Sequence, residues 1–434
     1  MTLEKKASIQ SSLKEITLLL LSTLTVMAGS TISPAINDMA QFFSSMTNAA
    51  FLARLSLTIP ALSFAIIAPI IGIIIDRIGR KPVLISSLFL YIIAGTSGFY
   101  LKSLYAILVG RIFLGIAVAG VMNATLTLIA DYYSGAKRDR VIGFQIAFGA
   151  FGGVVFLLVG GALADIDWYF PFLVYLIPII LIPLAIFILH EPKKEQKIEL
   201  MDENQALENS SNNSESSEEK NITNGSSDFG RSTKIIIAIS YLLIFIVMVV
   251  FYTGPTQLSF YIPTIDPSVN NFLIGLAMSL VNLTAGIMGL LYRPIKKMLD
   301  FQIIFIIGFS LFGAGFLLLF LAKNYAVILV AATIGGIGFG MIMPNLSLYL
   351  VSNTKKESRG IIFSGYNAML YLGQFFSPII FQPIIVASDI ATVFLIGSII
   401  YFSTMLIPII LLVQTIIRKR KSQNDSQIYK SQTE

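Results

Sequence analysis

Twelve apolar runs dominate this chain and dictate what it can fold into. Each is close to the roughly 20 residues a helix needs to cross a bilayer. They fall near residues 16–36, 52–75, 82–100, 105–129, 141–163 and 169–189. After a polar stretch they resume near 234–256, 271–292, 301–322, 325–349, 360–382 and 391–416. In hydrocarbon no water satisfies a backbone amide, so each run must close its own hydrogen bonds as a helix. The charged fraction, 12% of 434 residues, falls well short of the roughly 25% of a soluble domain. Mean hydropathy is +0.80. The expected class is an all-α membrane protein.

Charge sets the orientation. Of 30 Lys and Arg residues, all but Arg54, Lys102, Arg111 and Lys323 fall in the termini, the polar stretch and alternate connections. Cations favour the cytoplasmic side, so both termini are expected in the cytoplasm of a plasma-membrane protein. The pI of about 9.2 does not point to nucleic acid, because the cations gather at membrane edges rather than along one groove. The chain has no Cys and a single His, His190. That excludes disulfides and thiolate sites and leaves no metal site and no cofactor to expect. No nucleophile–base pair or phosphate-cradling loop appears, so an enzyme is not expected. Lys5, Lys6 and Lys14 before the first run imitate a signal peptide. That run is too long for one and lacks a clear small-residue cleavage site, so it is expected to be an uncleaved span.

Residues 191–232 are rich in Ser, Asn, Glu and Lys without apolar period. They are expected to form a disordered cytoplasmic linker. The chain then divides into a six-helix bundle over 1–190, the linker, a second bundle over 233–417, and a basic cytoplasmic tail over 418–434. The halves echo each other. Gly289–Lys297 resembles Gly72–Arg80, Gly340–Met343 resembles Gly120–Asn123, and Arg359–Ile362 sits opposite Arg140–Gly143. The offset stays at about 220 residues, the mark of parallel repeats with a site between them.

One connection is unusual. Gly72-Ile73-Ile74-Ile75-Asp76-Arg77-Ile78-Gly79-Arg80-Lys81 ends one apolar run, turns on Gly79 and restarts at Pro82. Gly72 would admit a close neighbour. Asp76, at the C-terminal end of its own helix, sits where the macrodipole disfavours an anion and needs a cation or another helix N-terminus. The stretch resembles, without a gap, the G-x-x-x-D-R-x-G-R-K signature of the major facilitator superfamily. The resemblance covers nearly all of the chain outside the linker and tail. It implies twelve helices in two six-helix repeats that expose a central site to each side in turn. It also implies a cytoplasmic latch of Gly72, Asp76, Arg77, Gly79, Arg80, Lys81, Asp131 and Arg140. There Asp76 would face the start of the span near Gly360, and Arg80 would meet Asp131. The latch would hold the outward-open state and break as the cytoplasmic side opens. A plain topology anchor with solvated charges is the other reading.

Other polar residues lie in or near the spans. Arg111 either lines a cavity with a partner or snorkels to the outer face. Gln145, Tyr252, Gln257, Asn282, Asn367 and Gln374 are candidates, with Arg111, for a substrate cavity or proton path. Each could equally be ordinary interhelical bonding. Tyr252-Thr253-Gly254-Pro255 should break the seventh span, and Gly373 with Pro378 the eleventh. Phe148–Gly153 and Gly160-Gly161 resemble the fifth-helix glycine motif of drug exporters, although Phe156-Leu157 stands where a Gly-Pro is typical. No acid lies mid-span, which leaves Asp38, Asp131 and Asp76 as proton carriers to consider.

Within the superfamily the first half resembles the drug:proton antiporters. That implies a monomer in the lipid bilayer exporting hydrophobic or amphipathic small molecules, with protons as coupling ion. A narrow-specificity metabolite transporter and a non-transporting sensor of the same fold are the rivals.

Overall fold

The computed structural model describes residues 3–191, 231–355 and 358–433, so most of the expected linker lies outside the described residues. Twelve helices among the described residues are long and apolar enough to cross a membrane. They are α1 (Ser12–Ser30), α2 (Ala49–Ile78), α3 (Arg80–Tyr100), α4 (Leu104–Tyr132), α5 (Gly135–Ala164) and α6 (Phe170–Ile188). The second six are α7 (Thr233–Ile265), α8 (Asn271–Met298), α9 (Phe301–Phe320), α10 (Tyr325–Ser352), α11 (Arg359–Ala387) and α12 (Ile390–Gln414).

Local chemistry sets the ends. Gly79, at φ 107°, stops α2 and lets α3 restart at once. Pro82 sits in the first turn of α3, where a missing N–H costs nothing. Asn270 and Asn324 cap α8 and α10, their side chains accepting from the amides of Leu273 and Val327. The first span ends at Ser30, short of the expected residue 36. Turns around Pro34 lead into a short helix, Ile36–Phe42; proline disfavours helix in the residue before it. α7 breaks at Tyr252, as the Gly-Pro pair predicts, between helices Arg231–Phe251 and Thr253–Ile265. The eleventh span does not break. Arg359–Ala387 is one helix through Pro378 and Pro383, since a packed membrane helix absorbs a lost backbone bond. The last helix continues to Thr433, through the segment expected as a separate tail.

Two hydrophobic cores result. One gathers buried residues from Leu18 to Leu189. The other runs from Ile244 to Tyr401 and takes in Leu157 of α5. Large apolar side chains such as Ile66, Ile180 and Phe187 are exposed around the outside, as lipid-facing residues must be. The halves meet where α5 packs on α8 and α2 on α11. Span alternation puts Asp76, Lys137, Arg293 and Lys355 on one face, called here the basic face. Asp38, Asp165 and Asp389 lie on the opposite face.

Candidate functional site: a central cavity between two unequal gates

The two halves enclose a cavity of about 330 Å³, at the small end of ligand sites. Phe64, Phe251, Phe316, Phe339, Met278 and Met343 supply much of its wall, with no Asp, Glu, Lys, Arg or His among the lining residues. Its polar groups include Tyr252, Asn282 and Gln374, three of the residues the sequence nominated. Tyr371 adds a fourth, its ring 4.0 Å from that of Phe64. Gln145 and Asn367 are half-buried but off the wall, and Gln257 is fully buried off it with neither amide atom bonded.

Arg111 neither lines the cavity nor snorkels. It is completely buried inside the first core. Nη1 donates to Tyr175 Oη at 2.9 Å, and the Tyr175 hydroxyl donates in turn to the Ala28 carbonyl at 3.0 Å. The guanidinium lies over the rings of Phe172, at 4.6 Å, and Tyr175, at 4.9 Å. The aromatic faces attract the cation, while Nε and Nη2 have no hydrogen-bond partner among the described residues. Sequence spacing placed Arg111 on a helix but could not see that α6 brings two rings to it.

On the face opposite the basic one the halves are shut. Ser33 Oγ donates to the Pro255 carbonyl at 2.7 Å. α5 and α8 approach so closely that a Cβ on Gly275 would lie 2.4 Å from the Leu157 carbonyl oxygen, and one on Gly161 2.4 Å from that of Asn271. At their rim, the Asp165 carboxylate accepts from the amides of Asn271 and Phe272, at 2.7 and 3.3 Å. The Asn271 side chain donates to Asp38 at 2.7 Å. Across the seam, buried Arg54 reaches Gln382 at 3.4 Å and lies 4.2 Å over the Phe260 ring. Sequence reading considered Asp38 as a proton carrier; in the structure both Asp38 and Asp165 turn toward the N-terminus of α8.

The basic face is open. A Cβ on Gly72, Gly143, Gly289 or Gly360 would meet nothing within 4 Å. Gly72 therefore has no close neighbour in this arrangement. Asp76 and Arg77 are exposed, and Asp76 makes no hydrogen bond or ion pair among the described residues. Arg80 does meet Asp131, Nε to Oδ2 at 2.9 Å, with both side chains about 15% exposed. That pair joins two helices of the same half and survives with the basic face open, so the expectation that it breaks on opening is corrected. Glu191, the first residue of the stretch expected as a linker, caps α3. Its carboxylate accepts from the Arg80 and Lys81 amides at 2.8 Å each, and Lys81 Nζ donates to the Ile186 carbonyl at 2.6 Å. Arg140 pairs with Glu15 of α1 at 3.7 Å rather than with the α2–α3 turn.

Comparison with known proteins agrees with this architecture. The family profile described as Major Facilitator Superfamily matches residues 18–295 and 259–429. The chain is 25% identical over 346 residues to the bacillibactin exporter of Bacillus subtilis (strain 168), covering 77% of this chain and 81% of that one. It is 27% identical over 188 residues to the class H tetracycline resistance protein of Pasteurella multocida, covering 42% and 46%. Among solved structures, the inward-open xylose transporter XylE from E. coli superposes with a TM-score of 0.69 at 15% identity, covering 91% of this chain and 95% of that one. Twelve membrane helices in two repeats, a cavity at their seam and a family match along almost the whole length lead to one conclusion: the chain belongs to the major facilitator superfamily of multi-pass membrane transporters.

Proposed function

We propose that this transporter exports hydrophobic or amphipathic small molecules in exchange for protons. The basic face is cytoplasmic, with both termini inside and the protein a monomer in the cell membrane. Two bundles, 1–190 and 233–417, rock about the cavity, and the arrangement described is then the inward-facing one. The observation that carries the reading is the cavity wall. Aromatic and Met side chains with a few hydrogen-bonding groups, and no charge, suit a ligand that is mostly apolar and held by shape. In the outward-facing state Asp76 seats on the N-terminus of α11 near Gly360, and Gly72 lets that helix approach. Arg80, Lys81 and Asp131, with Gly79 at the turn, hold the loop that presents Asp76, while Arg77 and Arg140 flank it.

Efflux from a pump-deficient host, measured across external pH with and without a protonophore, tests this. Export of several unrelated apolar compounds, abolished by the protonophore, is the expected result. Export that ignores the proton gradient removes the antiport reading. The match to the bacillibactin exporter, over most of both chains, favours a second reading, export of one natural metabolite. A panel in which a single compound moves would select it.

A further inference from the structure

The polar contacts on the outer rim do more than close a gap. Asp165 terminates α5, where its own helix dipole disfavours a negative charge. Its carboxylate leaves that helix and grips the first two amides of α8, Asn271 and Phe272, which belong to the other half of the protein. Free amides at a helix start are the natural partner of an anion. The same asparagine sends its side chain back to Asp38 at 2.7 Å and to the Ala164 carbonyl at 3.3 Å. One residue of the second half is thereby held by three groups of the first. Asp167 lies in the same groove, yet among the described residues accepts only from the amide of its own neighbour, Trp168.

These contacts cannot survive outward opening, which separates α5 from α8 at this rim. We propose that Asp165 and Asn271 are positioning residues of the transport cycle. They form an outer latch, a carboxylate seated on a foreign helix N-terminus, made when the outer side is closed and released when it opens. Its geometry is the counterpart of the Asp76 seat on α11. Asp165 closes α5 against α8 on one face, and Asp76 closes α2 against α11 on the other. In the structure the first is engaged and the second is empty, so the two alternate. The latch rests on the halves exchanging open faces and on nothing about the cargo.

The chain has no cysteine, so a spin-label pair can be placed without a background. Lys102→Cys and Lys323→Cys mark exposed outer connections in the two halves. With the full chain in lipid nanodiscs, their distance distribution reads the outward-open fraction. Asp165 is exposed, so the latch has the strength of a surface helix-end charge. Asp165→Ala should raise the outward-to-inward ratio roughly two- to fivefold. Asn271→Ala should do likewise, and Asp165→Asn, which keeps an acceptor oxygen, should shift it less. Asp167→Ala should leave it at the parent value. Unchanged distances in both alanine variants, or an equal shift in Asp167→Ala, would overturn the latch. Because distance rather than flux is read, the outcome is independent of which substrate or ion the protein moves.

Discussion

Gly275 offers the sharpest test of which contacts hold the closed face. A Cβ there would sit 2.4 Å from the Leu157 carbonyl oxygen, whereas ordinary contact begins near 3.4 Å. The obstacle is backbone in the middle of α5, so no side chain can swing aside and the two helices must part by about an ångström. Overpacking of that size costs about 1–3 kcal/mol. The gain in helix propensity from glycine to alanine, roughly 0.5–1 kcal/mol, applies to both ends of the cycle and cancels. The clash exists only where α5 and α8 touch. Gly275→Ala should therefore move the equilibrium toward the outward-facing arrangement about five- to 150-fold. The label pair at 102 and 323 measures it, with thermal stability followed in parallel. A distance distribution identical to the parent's, in a variant as stable as the parent, would show that the helices do not separate at this level.

Three further perturbations separate structure from gating. Asp76 makes no hydrogen bond or ion pair among the described residues with the basic face open, so Asp76→Asn should leave membrane insertion and stability intact while slowing transport; a variant transporting at the parent rate would remove Asp76 from the cycle. Tyr175→Phe takes the acceptor from a fully buried guanidinium and should cost about 1.5–3 kcal/mol, read as a lower melting temperature in detergent; an unchanged melting point would mean that the rings alone hold Arg111. The Thr392 hydroxyl and amide hold the Asp389 carboxyl below its usual range. A depressed folded-state value stabilises above the unfolded one and is lost as pH falls through it, so Asp389→Ala should lower thermal stability at pH 7, by an amount that shrinks below pH 3.8 and vanishes once the folded carboxyl is protonated. A deficit persisting there would assign the effect to something other than the carboxylate.

Much of this protein is legible in its sequence because lipid leaves so few options. Apolar length forces the helices, and Gly79 and Gly254-Pro255 announce their breaks. The Asp131 partner of Arg80 is what the resemblance to the superfamily signature implies, and the structure makes that pair. What the sequence could not convey is which neighbour faces which. Arg111 reads as a cavity residue because a lone cation in a span is costly, and only the fold reveals Phe172 and Tyr175 beneath it. Pro378 looks like a break because proline lacks a donor, yet packing carries α11 straight through. Glu191 and Asp165 go unnoticed in the sequence because their partners are backbone amides, which leave no mark in a side-chain pattern. Gly72 and Asp76 show a different limit: neither has a close partner with the basic face open, and the role proposed for them is in the opposite arrangement.

Arg111 carries a lesson about where a buried charge can act. Its ring partners and the Ala28 carbonyl at the end of its chain of bonds all belong to the first six helices. In the rocking motion proposed for the two bundles, the guanidinium rides along like ballast fixed in a hull. Its energy is the same at both extremes of the stroke, so damage there should surface as misfolding and leave the balance between the two openings untouched.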